Sequence, residues 1–520
     1  MLETLPCEIL MLIADWVSPG VFGLFDSRPL TACQLPPAHL RALSRVSSRL
    51  YSVLVPHIYR TIAFHAASEW ALNVLDVDSF FLHLGQSRSV GYLQHAPFHL
   101  VRFNRCAYYN IFRAAGLPES PSILGASDEA TAYQQFLDDV KDQLQLIFTH
   151  LKPNSLSTFE WRLGTCVPMG VLDQGGYLSR YQQRLARLSL VTDGTCPQTW
   201  HRLEGLSELS SLTAFEWEGI QHQTEVDLLR QCISHNWSHL DHLSIGFVYS
   251  ASARALCWES LGLSIFCSLR ALTLRDCPNQ LRLLQLLSRS QNPLQLEHFE
   301  TSLDLLLHEP GDGCSLSAVV RFLRSFRGLQ HLHLRLSNFP ASESRIQDAI
   351  KHHQTTLKSL VYHERQLAPI GEDGLFEDDR DVSPVWIANL STIVDLGQVT
   401  ALALCVRPSA ARRCLRPTVK HSQLRLLHLR FSGPERIHRD VQREIITFLH
   451  ETRKPGPVDE DTSSDNNDYD RILNAYYDRS PLECMDFQEA VLESSAAIAE
   501  AEDFVSFAEW AFGPGGLPAL

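Results

Sequence analysis

The chain has 520 residues, 45% hydrophobic and 20% charged, an ordinary composition for a globular protein of two or more folding units. Its 45 basic and 59 acidic residues leave a net charge of −14, which argues against a general binder of nucleic acid or anionic membranes, since both need concentrated positive charge. No uninterrupted apolar stretch approaches the ~20 residues of a membrane span, and Met1-Leu2-Glu3-Thr4 lacks the basic segment and apolar run of a signal peptide.

Two short amphipathic helices are predicted first. In Leu5 to Trp16, Pro6 suits a first helical turn, where its missing N–H costs nothing and its φ is preset. Ile9, Leu12, Ile13 and Trp16 then form one apolar stripe. From His39 to Leu54 the stripe is Leu40, Leu43, Val46, Leu50 and Leu54, with Arg41, Arg45 and Arg49 opposite. About fifty residues bury two such stripes poorly alone. The pair therefore either caps the next domain or keeps apolar surface for a partner. Read in order, Leu5-Pro6-x-Glu8-Ile9-Leu10-x-x-Ile13 and Leu40-x-x-Leu43-Ser44-x-Val46-Ser47-x-x-Leu50 closely resemble the F-box. Val55-Pro56-His57-Ile58-Tyr59-Arg60-Thr61-Ile62 resembles its ending in fungal F-box proteins. The resemblance covers residues 1–62. It implies docking on a Skp-type adaptor, and through it on a cullin–RING ubiquitin ligase, with Leu5, Pro6, Ile9, Leu10, Leu43, Val46 and Leu50 as the contact. The connection 18–38 holds Pro19, Gly20, Pro29, Pro36 and Pro37 and is far longer than the brief turn usual in the family. It reads as an inserted loop that either spares or obstructs the adaptor face.

Residues 63–132 form a connecting region without a clear period. Within it, aromatic-rich Val90 to Tyr109 has room for a strand or two, and Leu117 to Ser127 reads as a loop. Tyr133 to Leu151 is a strong helix, with Phe136, Val140, Leu144, Ile147 and Leu151 on one face. An array follows, so that residues 133–452 make one region built on apolar residues at i, i+3 and i+5. The pattern runs Leu156-x-x-Phe159-x-Trp161, Leu185-x-x-Leu188-x-Leu190, Leu212-x-x-Phe215-x-Trp217, Leu240-x-x-Leu243-x-Ile245 and Leu269-x-x-Leu272-x-Leu274. It continues as Leu296-x-x-Phe299-x-Thr301 (weakly), Leu329-x-x-Leu332-x-Leu334, Leu357-x-x-Leu360-x-Tyr362, Val399-x-x-Leu402-x-Leu404 and Leu424-x-x-Leu427-x-Leu429.

The steps between leading positions are 29, 27, 28, 29, 27, 33, 28, 42 and 25, the signature of a repeat array. Residues i+3 and i+5 share one face of a short strand, while the leading residue anchors the turn into it. Helical stretches fall between strands at Leu228 to Ser234, Asn279 to Ser290, Leu316 to Phe326 and Ile346 to His353. One strand–helix unit cannot cover its apolar face, whereas stacked units share a core. The pattern resembles an irregular leucine-rich repeat, and Leu269-x-x-Leu272-x-Leu274-x-x-Cys277 matches the cysteine-bearing variant often paired with F-boxes. An ordinary α/β domain with leucine-rich strands is the plainer reading. The expected fold is thus α/β: a helical F-box, then a leucine-rich-repeat solenoid with parallel strands on the concave face and helices outside.

The 42-residue step holds a charged loop from Pro369 to Pro384. Ile437 to Leu449 is a predicted helix. Residues 453–485 read as an acidic disordered linker, poorest in apolar residues from Lys454 to Asp470. Residues 486–520 carry a last helix, with Phe487, Val491, Ile498, Val505 and Phe512 on a broad face suited to closing the array.

Catalytic motifs are missing from the sequence: no Gly-x-Ser-x-Gly, P-loop, Gly-x-Gly-x-x-Gly or His-Glu-x-x-His occurs. The expectation is no enzyme, no cofactor and no metal. His235, His239, Asp241 and His242 could share a zinc ion on a helix, but the stretch reads better as the turn before a strand. Asp465 to Asp470 lacks the glycine and terminal glutamate of a calcium loop. The 13 cysteines form no C-x-x-C pair and read as reduced thiols buried in an intracellular protein, cytoplasmic or nuclear.

A binding face is easier to argue. Residues i+4 and i+6 of each repeat point away from the core onto the concave sheet: Glu160 and Arg162, Glu216 and Glu218, Thr273 and Arg275, His333 and Arg335, Val361 and His363, His428 and Arg430. They are either merely solvated or a surface for a protein target, arginine being a frequent hot spot. Together with the F-box resemblance this implies a substrate receptor of a cullin–RING ligase, with neither nucleic acid nor membrane as partner. The alternative is a repeat scaffold whose F-box-like helices only cap the array.

Overall fold

A computed structural model describes residues 44–58, 64–66, 95–100, 126–162, 166–192, 202–220, 223–235, 239–247, 265–290, 293–305, 316–338, 346–366, 380–382, 398–405 and 426–430. The chain divides into two compact units between Leu269 and Arg270, inside the span read from sequence as one array. The loop 18–38, Ile437 to Leu449 and both C-terminal segments, 453–485 and 486–520, lie outside the described residues.

In the first unit, strands β1 (Phe64–Ala66), β2 (His95–Leu100), β3 (Thr158–Arg162), β4 (Arg187–Val191), β5 (Ala214–Ile220) and β6 (His242–Phe247) lie side by side in chain order, all parallel. Its helices are α1 (Ser48–Ile58), α2 (Ala126–Thr149), the short α3 (Tyr177–Tyr181) and α4 (Gln223–His235). Phe159, Leu188, Phe215 and Leu243 stand in register, as do Trp161, Leu190, Trp217 and Ile245, and all eight are buried. The predicted face of α2 is also buried at Val140, Leu144 and Ile147, with Leu151 just beyond its end.

In the second unit, β7 (Ala271–Arg275), β8 (His298–Asp304), β9 (His331–Ser337) and β10 (Ser359–Gln366) are parallel neighbours. The short β11 (Arg380–Val382) runs antiparallel to the far end of β10, whose first half pairs with β12 (Ala401–Cys405), and β12 in turn with β13 (Leu426–Arg430). Helix α5 (Gln280–Ser288) packs beside α6 (Leu316–Arg324), and α6 beside α7 (Ile346–Lys351). Phe322 of α6 meets Phe299 of β8 at 4.8 Å between ring centroids, so the helices cover the i+3/i+5 face of the sheet. Each unit is an α/β stack of strand–helix repeats added in chain order.

Register is set before each strand begins. The carbonyl of Ser157 accepts from the N–H groups of both Ala186 and Arg187 (2.9 and 3.0 Å). The carbonyl of Ala186 does the same for Thr213 and Ala214, and that of Thr213 for Asp241 and His242. In the second unit the same doubled bond links Arg270, Glu297, Gln330, Lys358 and Thr400 in succession. A repeat cannot slip by one residue without breaking both bonds and turning its apolar set outward.

Three features differ from expectation. The helix predicted over His39 to Leu54 is interrupted at residues 45–47 and restarts as α1. Ser47 causes the break: its Oγ accepts from the Leu50 N–H at 3.2 Å and its carbonyl from Tyr51 at 2.9 Å, the bonding of an N-cap. The charged loop contributes β11, a short strand paired to β10 through its backbone. Finally, Cys166 is disulfide-bonded, to a partner outside the described side chains, whereas Cys232, Cys267 and Cys277 are free thiols. Burial pushes the Cys232 thiol up to about 12, so it serves as a small apolar group.

Candidate functional site

Two surfaces carry the residues singled out by the sequence. Of the predicted adaptor contact, Leu5, Pro6, Ile9, Leu10 and Leu43 lie outside the described residues. Val46 and Leu50 are described, and the break at Ser47 separates their environments. Leu50 is buried at 5% exposure, together with Val53 and Leu54, so this side of α1 packs against its own chain. Val46, just ahead of the cap, is 66% exposed, and Tyr51 on α1 is 45% exposed. One stripe in the sequence is therefore buried at Leu50 and Leu54 and exposed at Val46.

The second surface is the sheet face opposite the helices. In the first unit, Glu160, Ser189, Glu216 and Ser244 stand in register across β3 to β6. They are joined across strands: the Ser189 hydroxyl donates to Glu216 Oε2 at 2.7 Å, and Arg162 approaches the same oxygen at 3.9 Å. Burial raises the Glu160 carboxyl above its usual value and the neighbouring Glu216 charge adds to this, while Arg162 and Arg187 act against it. Glu218 sits where β5 bulges. The bulge depends on Gly219, whose φ of +99° suits glycine and whose absent Cβ would otherwise land on the Thr192 carbonyl oxygen.

In the second unit, Thr273, Glu300, His333 and Val361 form the same row, and Arg275, Ser302, Arg335 and His363 the next. Glu300 is the hub. Arg275 Nε donates to Glu300 Oε1 at 3.0 Å, and His333 Nδ1 stands 3.7 Å from that oxygen. Burial alone would raise the Glu300 carboxyl; Arg275 and then His333 outweigh it and hold it below the usual carboxylate range. Next to this row, the His298 and His331 rings stack at 4.3 Å. Burial, helped by the Arg270 and Lys358 charges against an opposing Glu297, lowers His298 to about 4. It lowers His331 well below its usual value, with the same sign from His298 and Lys358. Both rings are therefore neutral at pH 7.

The predicted alternation thus appears in both units, and the structure brings Arg162 to Glu216, and Arg275 to His333 through Glu300. These groups are committed to one another: Glu160, Arg162, Glu216 and His333 are each below a tenth exposed, and His363 is 1% exposed. The side chains of His428 and Arg430 on β13 are not among those described. Glu300 and Ser189 carry the polar contacts, yet neither stands out in the sequence. Glu300 occupies position i+4 of the weakest repeat, where Thr301 breaks the apolar pattern, and Ser189 is uncharged. Counting i+4 in every repeat, whatever its strength, would have found both.

No group of three or more His, Cys, Asp or Glu among the described residues is placed to hold a metal ion. His239 is exposed and His242 opens β6. No described helix is long and apolar enough to cross a membrane. No protein-family model matches the chain, and no curated protein matches it.

Proposed function

We propose that the chain is a non-catalytic substrate receptor of a cullin–RING ubiquitin ligase, docking on a Skp-type adaptor through an F-box at residues 1–62 and holding a target protein on a leucine-rich-repeat array. The observation that carries this reading is the exposure of the apolar side chains of Val46 and Tyr51, inside the segment with the F-box motif. Val46, two-thirds exposed, is available to a partner at a position the F-box resemblance assigns to the adaptor contact. The receptor performs no chemistry. It holds the target beside a ubiquitin-charged enzyme and makes the transfer effectively intramolecular. Co-purification with the adaptor tests it. Leu5→Ala with Pro6→Ala abolishes recovery of the adaptor while the unfolding transition is kept; undiminished recovery overturns the reading.

A second reading, a repeat scaffold capped by its own F-box-like helices, is favoured by the burial of Leu50, Val53 and Leu54. Under that reading, a charge at Val46 changes no interaction, and the adaptor does not bind at all.

A further inference from the structure

The turns leading into β8, β9, β10 and β12 line a shallow, open cleft of about 700 Å³ at one rim of the second unit's sheet. Its wall carries two exposed cations, Arg327 and Lys358, neither in an ion pair among the described residues. The acid beside them, Glu297, is already neutralised, since Arg270 holds its Oε1 at 2.6 and 3.1 Å. Three side-chain amides also line the cleft: Gln295, Gln330 and Gln398, from the turns into β8, β9 and β12. None of the three amides is hydrogen-bonded to a described residue. A carboxamide offers both donor and acceptor, matching a peptide backbone, while the unpaired cations match carboxylates. Among the lining residues there is no aromatic ring to stack a base or an apolar ligand, and Leu296 is the one large apolar side chain.

We infer that this cleft binds a short, extended acidic peptide segment with two carboxylates on alternate residues. The dimensions agree. Four adjacent strands span three spacings of ~4.8 Å, roughly 14 Å, which is the length of about four extended residues. Arg327 and Lys358 belong to adjacent turns, and residues i and i+2 of an extended chain project to the same side roughly 7 Å apart, within reach of two long flexible cations. With a net charge of −14 the whole chain repels an acidic ligand, so attraction at this rim must come from the two unpaired cations themselves. The inference deepens the receptor reading by naming a target class, yet binding is measured without the adaptor, so either can fail alone.

The test is fluorescence anisotropy of the full chain with a labelled five-residue peptide carrying glutamates at its second and fourth positions. The expected result is saturable binding that weakens at least about tenfold when both glutamates are glutamine, and again in Arg327→Glu with Lys358→Glu. Because all the altered groups are exposed, the unfolding transition stays in place; Arg327→Gln with Lys358→Gln gives the same ordering should the reversal disturb folding. The inference is overturned by any one of four results. These are no saturation up to about 1 mM, equal affinity for the glutamine peptide, indifference to both double variants, or inorganic phosphate competing as strongly as the peptide itself.

Discussion

The sixth repeat puts threonine where the other repeats put leucine, isoleucine, tyrosine or tryptophan, and the structure supplies a compensation that can be measured. Thr301 is buried at position i+5 of β8, and Gln280, fully buried in α5, donates from Nε2 to the Thr301 hydroxyl. Thr301→Val keeps the shape but strands the Gln280 amide, whose Oε1 already lacks a partner. A buried polar group left unsatisfied costs about 1–3 kcal/mol. Gln280→Leu leaves the threonine hydroxyl stranded at a similar cost, about 2 kcal/mol. Making both changes removes both polar groups, returns the repeat to its apolar pattern, and should fall within about 1 kcal/mol of the parent chain. If the sites were independent, the double variant would lose about 4 kcal/mol, so the predicted coupling is about 3 kcal/mol. Urea unfolding of the four proteins, compared at unchanged slope, reads this directly. Additive losses in the double variant would refute the pairing and the idea that this stretch is a true repeat carrying a polar substitution.

Three further outcomes follow from the same packing. Gly219→Ala forces a Cβ onto the Thr192 carbonyl at positive φ and should cost about 2–3 kcal/mol, seen as a lower unfolding midpoint; an unchanged midpoint contradicts the account of the bulge. Glu300→Gln leaves Arg275 and His333 facing a neutral group and should cost about 3 kcal/mol, whereas a neutral effect would show that the hub is dispensable. Acid destabilises the fold through histidines held neutral. His298 and His353 are both lowered to about 4, each mainly by burial, so their stabilising contribution is complete above the ordinary histidine pKa and is lost as pH falls towards 4. Between pH 8 and 5 each loses about 2 kcal/mol. His331 acts in the same direction, and the raised Glu160 carboxyl in the opposite one. Unfolding midpoints measured across this range should fall, and more gently in His353→Gln; a flat or rising profile contradicts the assignment.

The repeat strands are legible in the sequence because burial on one face imposes an alternation that polar residues cannot imitate. Leu156, Phe159 and Trp161 announce β3 with no help from neighbours. Helices α4 to α7 are legible too, since each presents an apolar side at helical spacing. Other features leave no such trace. The apolar stripe runs from Val46 to Leu54 straight across the Ser47 cap, so the interruption is visible only in the hydrogen bonds. Arg380 to Val382 pairs through its backbone, and nothing in three mostly polar residues distinguishes that from loop. Alternation also places Arg162 and His363 on the face away from the helices but is silent on whether that face is open. A charged residue is assumed to be wet unless its partner is known, and for Arg162 that partner, Glu216, lies two strands away across β4.

The central claim is that apolar surface near Val46 is kept for another polypeptide. Light scattering of the purified chain with a purified Skp-type adaptor tests it most directly, using the parent and Val46→Asp. The account predicts a one-to-one complex for the parent and separate species for the variant, with both proteins equally stable to urea. A complex that survives Val46→Asp, or no complex with the parent chain, would contradict it.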